Sequence, residues 1–223
     1  VARWFGAVVK ESGYGNTWSS RWVVKGVDGE AKDAAEHFYG TDIWGVVCKE
    51  VCALIPKGYT VYGEIVGFTP DGAAIQKGYH YGCQPGQHRF LVYRVTSTNE
   101  DGRVLELGWL QMKEFCRKYG LEMVKELYFG RAADYCPQSL GESVTDWQSR
   151  LLLTLEAEYV RDQLCEHNRR EVPAEGIVVR VERLDEAIAF KLKNYRFLEA
   201  ESKALDTGEA DIETVESGEA ASV

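Results

Sequence analysis

The chain has 223 residues, of which 45% are hydrophobic and 12% aromatic, so it can bury a core and a wholly disordered protein is excluded. No apolar stretch is long enough to cross a bilayer and no signal-peptide pattern is present, so we expect no membrane partner. The formal net charge of −9 argues at first against a nucleic-acid partner.

The distribution of charge weakens that objection. Six acids and no lysine or arginine lie between Ala204 and Val223. This composition predicts a disordered acidic tail over residues 204–223. The preceding body, residues 1–203, is then only mildly acidic, and a local basic groove stays possible.

The six cysteines favour a reducing compartment. They form no C-x-x-C pair in a chain of this size without an export signal, so we predict free thiols and a cytoplasmic protein. Cys48 and Cys52 lie four residues apart on a predicted helix, a spacing that two ligands of one metal could have. No second pair or well-placed histidine completes such a site, which favours ordinary core or surface cysteines.

The first half of the chain is predicted to hold several strands and one helix. Hydrophobic spacing predicts the helix over 42–55, with Asp42 as its N-cap. The predicted strands cover 1–9, 18–25, 59–68 and 88–97, with a long irregular glycine-rich segment over 69–87.

The second half is predicted to be richer in helix. Helices are predicted over 109–119, ending at Gly120, over 143–167, and in a short form over 196–206. A strand is predicted over 121–130, and two final strands follow Glu175 and surround Lys191. Because strands pair with strands and helices fall between them, the predicted class is α+β in a single domain.

Two lysines on the last predicted strand are candidate functional residues. Lys191 and Lys193 are two residues apart, so their side chains leave the same face of a strand. Two convergent ammonium groups suit the phosphates of a nucleotide. The alternative is a solvated edge strand with lysines, and this motif alone favours that alternative.

Two glutamates are also either functional or simply exposed to solvent. Glu175 opens the apolar run Gly176-Ile177-Val178-Val179, where its carboxylate would bind a metal or a sugar hydroxyl, or would simply be an exposed loop acid. Glu64 lies between apolar residues and shares a strand face with Tyr62, so it either faces solvent or lines a polar pocket. Position alone does not decide between these readings.

The order of these motifs along the chain carries more information than any one of them. Tyr62-Gly63-Glu64, Phe90-Leu91-Val92-Tyr93, Glu175-Gly176-Ile177-Val178-Val179 and Lys191-Leu192-Lys193-Asn194 follow one another. From about Trp18 to Lys203 the chain therefore resembles the covalent nucleotidyltransferases, and within them the ATP-dependent RNA ligase family. The resemblance implies a nucleotidyltransferase domain (the ATP-grasp-like ligase adenylation fold), with antiparallel sheets flanked by helices.

The resemblance also implies a reaction. In this family a lysine of a K-x-[DH]-G motif attacks the α-phosphate of ATP and forms lysyl-AMP. The AMP then passes to a 5′-phosphate, and a 3′-hydroxyl displaces it to seal the strand. The implied cofactors are ATP and Mg²⁺ or Mn²⁺, and the implied partner is RNA with 5′-phosphate and 3′-hydroxyl ends, with no obligate protein partner.

The resemblance further implies a role for each matching residue. Glu64 would bind the ribose, and Tyr93 would stack on the adenine, with Phe90 as a second candidate. Glu175 would help to hold the metal. Lys191 and Lys193 would contact the AMP phosphate and offset the charge of the five-coordinate phosphorus.

Together these roles predict that five side chains far apart in sequence line a common cavity; they are Glu64, Tyr93, Glu175, Lys191 and Lys193. Arg21 resembles the arginine of a Ser-Arg motif that contacts ribose or the terminal strand, although a surface charge on a strand explains it equally well.

The nucleophile departs from the family pattern. No K-x-[DH]-G occurs in the sequence; the nearest string, Lys25-Gly26-Val27-Asp28-Gly29, has one residue too many and is interpreted as a turn. Arg3, near the start, resembles the arginine just after the nucleophile motif. We therefore expect the lysine upstream of Val1, and a chain that lacks the domain's first strand, binds ATP weakly and forms no lysyl-AMP.

Other readings stay open. A capping-type guanylyltransferase or a DNA ligase shares these motifs, but normally continues into an oligonucleotide-binding fold. A non-catalytic protein that binds nucleotides or RNA ends would keep the pocket without the nucleophile. An unrelated α+β domain would bind no ATP.

Overall fold

The computed structural model describes residues 5–7, 10–11, 16–17, 41–169, 172–183 and 187–206. The strands in these ranges are β1 (Phe5–Ala7), β2 (Lys10–Glu11), β3 (Asn16–Thr17), β4 (Tyr59–Gly67), β5 (His88–Thr98), β6 (Val104–Glu106), β7 (Glu122–Met123), β8 (Gly176–Val181) and β9 (Ile188–Lys193). The helices are α1 (Ile43–Cys52), α2 (Trp109–Tyr119), α3 (Ala132–Tyr135), α4 (Val144–Tyr159) and α5 (Tyr195–Asp206). This mixture of helices and mainly antiparallel strands confirms the predicted α+β class.

The Cα packing divides the chain into two compact units. Unit 1 comprises Val1–Lys125 and Arg180–Ala189, and unit 2 comprises Glu126–Val179 and Phe190–Val223. Helix α5 runs to Asp206, and residues 207–223 of the predicted acidic tail lie outside the described residues. So does the strand predicted over 18–25.

Unit 1 is built on a sheet in the order β1-β4-β5-β6, with β7 also paired to β5. The longest ladder is antiparallel and joins β4 to β5, from Tyr59↔Ser97 to Gly67↔His88. β-branched and aromatic residues are frequent in both strands, and such residues pack well on a pleated surface. The strands predicted over 59–68 and 88–97 are thus confirmed, whereas the short β6 was not predicted.

The hydrophobic core of unit 1 lies between one face of this sheet and helices α1 and α2. The sheet contributes Val61, Ile65, Val92 and Val95, each no more than 5% exposed. The helical residues that meet them are Ile43, Val47, Val51, Met112, Phe115 and Cys116. These helical positions recur every three or four residues, which places them on one face of each helix.

The start of α1 and the end of α2 are those that the sequence predicted, whereas α1 ends at Cys52 rather than at residue 55. The Asp42 carboxylate accepts a hydrogen bond from Gly45 N at 2.8 Å, which satisfies one free N–H at the start of α1. Helix α2 ends at Gly120, whose φ of +66° is the left-handed conformation that glycine adopts without penalty.

The glycine-rich segment 69–87 is irregular, as predicted, but it is held by its own hydrogen bonds. Phe68 N donates to Gln87 O at 2.8 Å and so closes the segment at its base, while Thr69 N donates to Ala73 O at 2.8 Å. Ile75 and Cys83 are buried at 4% and 7% exposure. The segment is therefore a packed loop anchored to unit 1.

Two predicted elements in the second half were too long. The strand predicted over 121–130 is wrong beyond Glu122–Met123. The ladder between β7 and β5 covers only these two residues, and one further backbone bond, from Val124 N to Val92 O, follows it. The helix predicted over 143–167 begins as expected, with Ser143 as N-cap, but α4 ends at Tyr159. Soon after that end Asp162 has a φ of +59°, which no α-helix accommodates.

The cysteines are free thiols. Burial raises the pKa of Cys116 to about 11 and also raises the pKa of Cys48, whose Sγ lies 3.8 Å from that of Cys52. These thiols therefore stay protonated near neutral pH. No helix in the described part of the chain is long and apolar enough to span a membrane.

Gly63 provides a test of the β4–β5 packing. A Cβ at this position would overlap the ring of Phe90 and lie 2.9 Å from Leu91 O. We expect Gly63→Ala to lower the free energy of unfolding by about 1–3 kcal/mol, since the ring and the strand must shift. Urea denaturation measures this change.

The matched control for Gly63 is a double-variant cycle. In a Phe90→Ala background the ring is absent, so the cost of Gly63→Ala should shrink to the part due to Leu91 O. An equal cost in both backgrounds would contradict the packing described here.

Candidate active site

Glu64 lies on the face of the β4–β5 sheet that points away from the hydrophobic core. Val61 and Ile65 are core residues, and strand alternation puts Glu64 with Tyr62 on the opposite face. The partner of Glu64 on β5 is Leu91. Glu64 therefore lies outside the hydrophobic core, as both possibilities left open by the sequence require.

Tyr93 occupies an irregular position on β5. Gly63 pairs with Val92 and Tyr62 pairs with Arg94, so Tyr93 is the extra residue of a β-bulge. Bulges re-aim side chains and are frequent beside functional sites. Phe90, the second aromatic candidate, packs instead against the hydrophobic core and lies over Gly63.

Arg94 is a residue of this face that sequence reasoning missed. Its guanidinium lies 5.0 Å from the centroid of the Tyr62 ring, and its Nε donates to Glu106 Oε2 at 2.8 Å. The Glu106 side chain is only 7% exposed, and Arg180 Nη2 lies 2.9 Å from its other oxygen. A carboxylate shared by two arginines fixes Arg94 beside Tyr62.

The remaining candidates lie in unit 2, at the ends of β8 and β9. These two strands form a separate two-stranded sheet. Gly176, the first residue of β8, has a φ of +140°, and a Cβ there would overlap the Leu192 carbonyl and lie 2.9 Å from Lys193 Cα. Only glycine permits this backbone approach, which brings Glu175 beside the lysine strand.

Glu175 and Lys191 are brought together. The Lys191 ammonium forms an ion pair with Glu175 Oε1, with side-chain exposures of 24% and 10%. Lys193 follows two residues later, and its Nζ lies 5.9 Å from the centroid of the Phe197 ring. An acid and two cations at adjacent strand ends thus form one charged cluster.

Asn194 holds this cluster in place, a role that the sequence did not reveal. Its backbone N donates to Glu175 O at 2.7 Å. Its side chain is 1% exposed, donates to Gln163 O at 3.2 Å and accepts from Arg196 N at 3.0 Å. Asn194 thereby joins the end of β9 to Glu175 and caps the start of α5.

The site residues described so far therefore fall into two groups. Glu64, Phe90 and Tyr93 belong to unit 1, whereas Glu175, Lys191 and Lys193 belong to unit 2. Arg3, Arg21 and the Lys25–Gly29 string lie outside the described residues. A common cavity for both groups stays a prediction.

In the described part of the chain, no cluster of three or more histidine, cysteine, aspartate or glutamate side chains is placed to hold a metal ion. Glu175 therefore offers one carboxylate rather than a complete cage of protein ligands. An open cavity of about 370 Å³ lies elsewhere, in unit 1, and its walls include Glu50, Cys83, His88 and Arg89. None of the predicted site residues lines that cavity.

The charged cluster and the sheet face with Glu64 correspond to the motifs on which the resemblance depended. A sequence model of the RNA ligase family matches residues 24–193, which is more than half of the chain and includes every described candidate. The protein belongs to the RNA ligase family. No curated protein sequence matches the chain at a significant level.

Asn194 gives a testable measure of how the cluster is held. Asn194→Ala removes two side-chain hydrogen bonds from a buried position, so we expect it to lower the free energy of unfolding by about 1–3 kcal/mol. The control is Asn99→Ala, which removes the bond from Arg103 N to Asn99 Oδ1 in an exposed turn. If chemical denaturation shows that both variants lose the same free energy of unfolding, Asn194 does not hold the cluster in the way described.

Proposed function

We propose that the protein is an ATP-dependent RNA ligase that seals 5′-phosphate and 3′-hydroxyl RNA ends through lysyl-AMP and RNA-adenylate intermediates. The observation that carries the proposal is the contact between Glu175 and Lys191, with Lys193 two residues away, in a chain of the RNA ligase family. The two lysines lie at the end of one strand, where they would offset the charge of a phosphate that is being transferred.

Each predicted residue has a role in this proposal. Glu64 binds the ribose and Tyr93 stacks on the adenine, since the sheet face opposite the core and a bulge leave both half-buried side chains outside the core. Lys191 and Lys193 contact the AMP phosphate. Arg21 and Arg3 contact the nucleotide or the RNA terminus.

Glu175 is the proposed protein ligand of a divalent cation. A single carboxylate fits Mg²⁺ or Mn²⁺ held jointly with substrate phosphates, because Mg²⁺ commonly keeps several waters and only one or two protein carboxylates. When bound, the cation would neutralise negative charge on those phosphates. The protein's part is to present the Glu175 carboxylate at the fixed start of β8.

The nucleophile of the reaction is a lysine of the K-x-[DH]-G type, and the 223 residues contain no such motif. The Lys25–Gly29 string begins one residue after the start of the matched segment but has one residue too many. The proposal does not take its nucleophile from this string. It therefore expects ATP binding without covalent labelling of the 223-residue chain.

The absence of a K-x-[DH]-G motif from the 223 residues also favours a second function. A protein that binds nucleotides or RNA ends without catalysis would use the same phosphate and ribose contacts and would need no nucleophile. The labelling experiment below, which compares the 223-residue chain with a chain to which a K-x-[DH]-G segment has been added, separates the two.

The first prediction concerns ATP binding by the chain itself. We expect Lys191→Ala to weaken binding of MgATP about 10- to 100-fold, because it removes one charge-assisted hydrogen bond to phosphate. Isothermal titration calorimetry measures the affinity. Lys203→Ala, which removes an exposed lysine of unit 2, should leave it unchanged; equal losses would show a general charge effect instead.

The second prediction concerns covalent chemistry. With α-labelled ATP and magnesium, the 223-residue chain should acquire no label that survives denaturing gel electrophoresis, whereas a chain to which a K-x-[DH]-G segment has been added should be labelled. Glu175→Ala should abolish the label. If the 223-residue chain is labelled and Lys25→Ala removes the label, Lys25 is the nucleophile and the assignment made here is wrong.

A further inference from the structure

The two charged groups nearest each other in the cluster are assigned to different ligands. In the proposed function, which the following inference depends on, Glu175 serves the cation and Lys191 serves the phosphate. In the structure they serve each other, as an ion pair between the Lys191 ammonium and Glu175 Oε1. Each side chain thus occupies the position that the other's ligand needs.

We propose that the Glu175–Lys191 pair makes nucleotide binding and divalent-cation binding mutually dependent. A nucleotide that arrives alone meets the Glu175 carboxylate and a lysine already engaged by it. A cation that arrives alone meets the Lys191 ammonium at its carboxylate. When both arrive, Glu175 passes from the ammonium to the cation and Lys191 passes from the carboxylate to the phosphate.

This exchange keeps the charges paired at both stages. Before binding, the Glu175 carboxylate is paired with the Lys191 ammonium; after binding, each has a new partner of opposite charge. Because the Glu175 side chain is only 10% exposed, solvent screens the pair weakly, and leaving either group unpaired is costly. The free-energy cost of breaking the pair is therefore divided between two ligands when both bind. A ligand that binds alone bears the whole cost, so its affinity is lower.

The backbone keeps the start of β8 beside the end of β9. Asn194 N donates to Glu175 O at 2.7 Å, and Gly176 lies against the backbone of Leu192 and Lys193. The two strand ends are thus fixed side by side. The ion pair is therefore broken by movement of the two side chains rather than of the strands, and in the proposal that movement couples the two ligands.

Thermodynamic reciprocity turns the proposal into measurable quantities. If the cation strengthens nucleotide binding by some factor, the nucleotide strengthens cation binding by the same factor. The probe is AMP-CPP, an ATP analogue with a methylene group between the α- and β-phosphorus atoms, so that no AMP transfer follows binding. Its affinity is measured by calorimetry in EDTA and in magnesium.

The decisive variant is Glu175→Gln, which keeps the shape of the side chain and removes its charge. We expect it to bind AMP-CPP in EDTA about tenfold more tightly than the wild type, because Lys191 is released. The gain from magnesium should be largely lost. Glu199→Gln, the same change at an exposed position of α5, should alter neither value.

A double variant separates the coupling from simple charge repulsion. If Glu175 weakens nucleotide binding by engaging Lys191, then Glu175→Gln should give little gain in a Lys191→Met background. A gain of the same size in both backgrounds means that Glu175 only repels the phosphates, and overturns the inference.

The cation is tested on its own with Mn²⁺, followed by electron paramagnetic resonance in the absence of nucleotide. Lys191→Met should bind Mn²⁺ more tightly than the wild type, since the competing ammonium is gone. Equal Mn²⁺ affinities overturn the inference. Thermal melting of each variant establishes that the compared proteins are folded.

The results that would contradict the proposed function differ from those that would contradict only this inference. If the wild type binds AMP-CPP neither in EDTA nor in magnesium, the nucleotide assignment fails and the inference falls with it. If the wild type binds in magnesium and Glu175→Gln shows no increase in EDTA, only the inference fails.

Discussion

The backbone of Gly176 lies against that of Leu192 and Lys193, and the charged cluster of unit 2 depends on this approach. A side chain at Gly176 would overlap the Leu192 carbonyl, and the φ of +140° is open to glycine almost exclusively. With the strands this close, Asn194 N reaches Glu175 O. The ion pair between Glu175 and Lys191 follows from that backbone arrangement, since both side chains leave fixed strand ends.

Unit 1 uses a glycine for a related purpose. Gly63 leaves room for the Phe90 ring on the core side of the sheet, while the bulge at Tyr93 interrupts regular pairing. The core side is filled by α1 and α2, so the opposite side keeps Tyr62, Glu64 and Arg94. In each unit a glycine, Gly63 or Gly176, allows close packing, and candidate polar side chains lie next to that packing.

The predictions that succeeded rested on strong local signals. Asp42 and Gly120 marked helix ends because a capping carboxylate and a left-handed glycine act within a few residues. The predictions that failed depended on partners elsewhere in the chain. The segment 121–130 is predicted as a strand, but its ladder with β5 covers only Glu122 and Met123. Helix α4 stops before Asp162, whose left-handed conformation no glycine or proline signals.

The sequence by itself determined the family, the α+β class and the identities of Glu64, Tyr93, Glu175, Lys191 and Lys193 as candidates, because spaced motifs and hydrophobic periodicity are local properties of the chain. Only the tertiary structure decided that Glu175 and Lys191 pair, that Phe90 packs against the core, and that Asn194 and Arg94 hold or flank the candidates. The physical reason is distance along the chain: strand pairing brings together residues far apart in sequence, and no local pattern records which groups will meet.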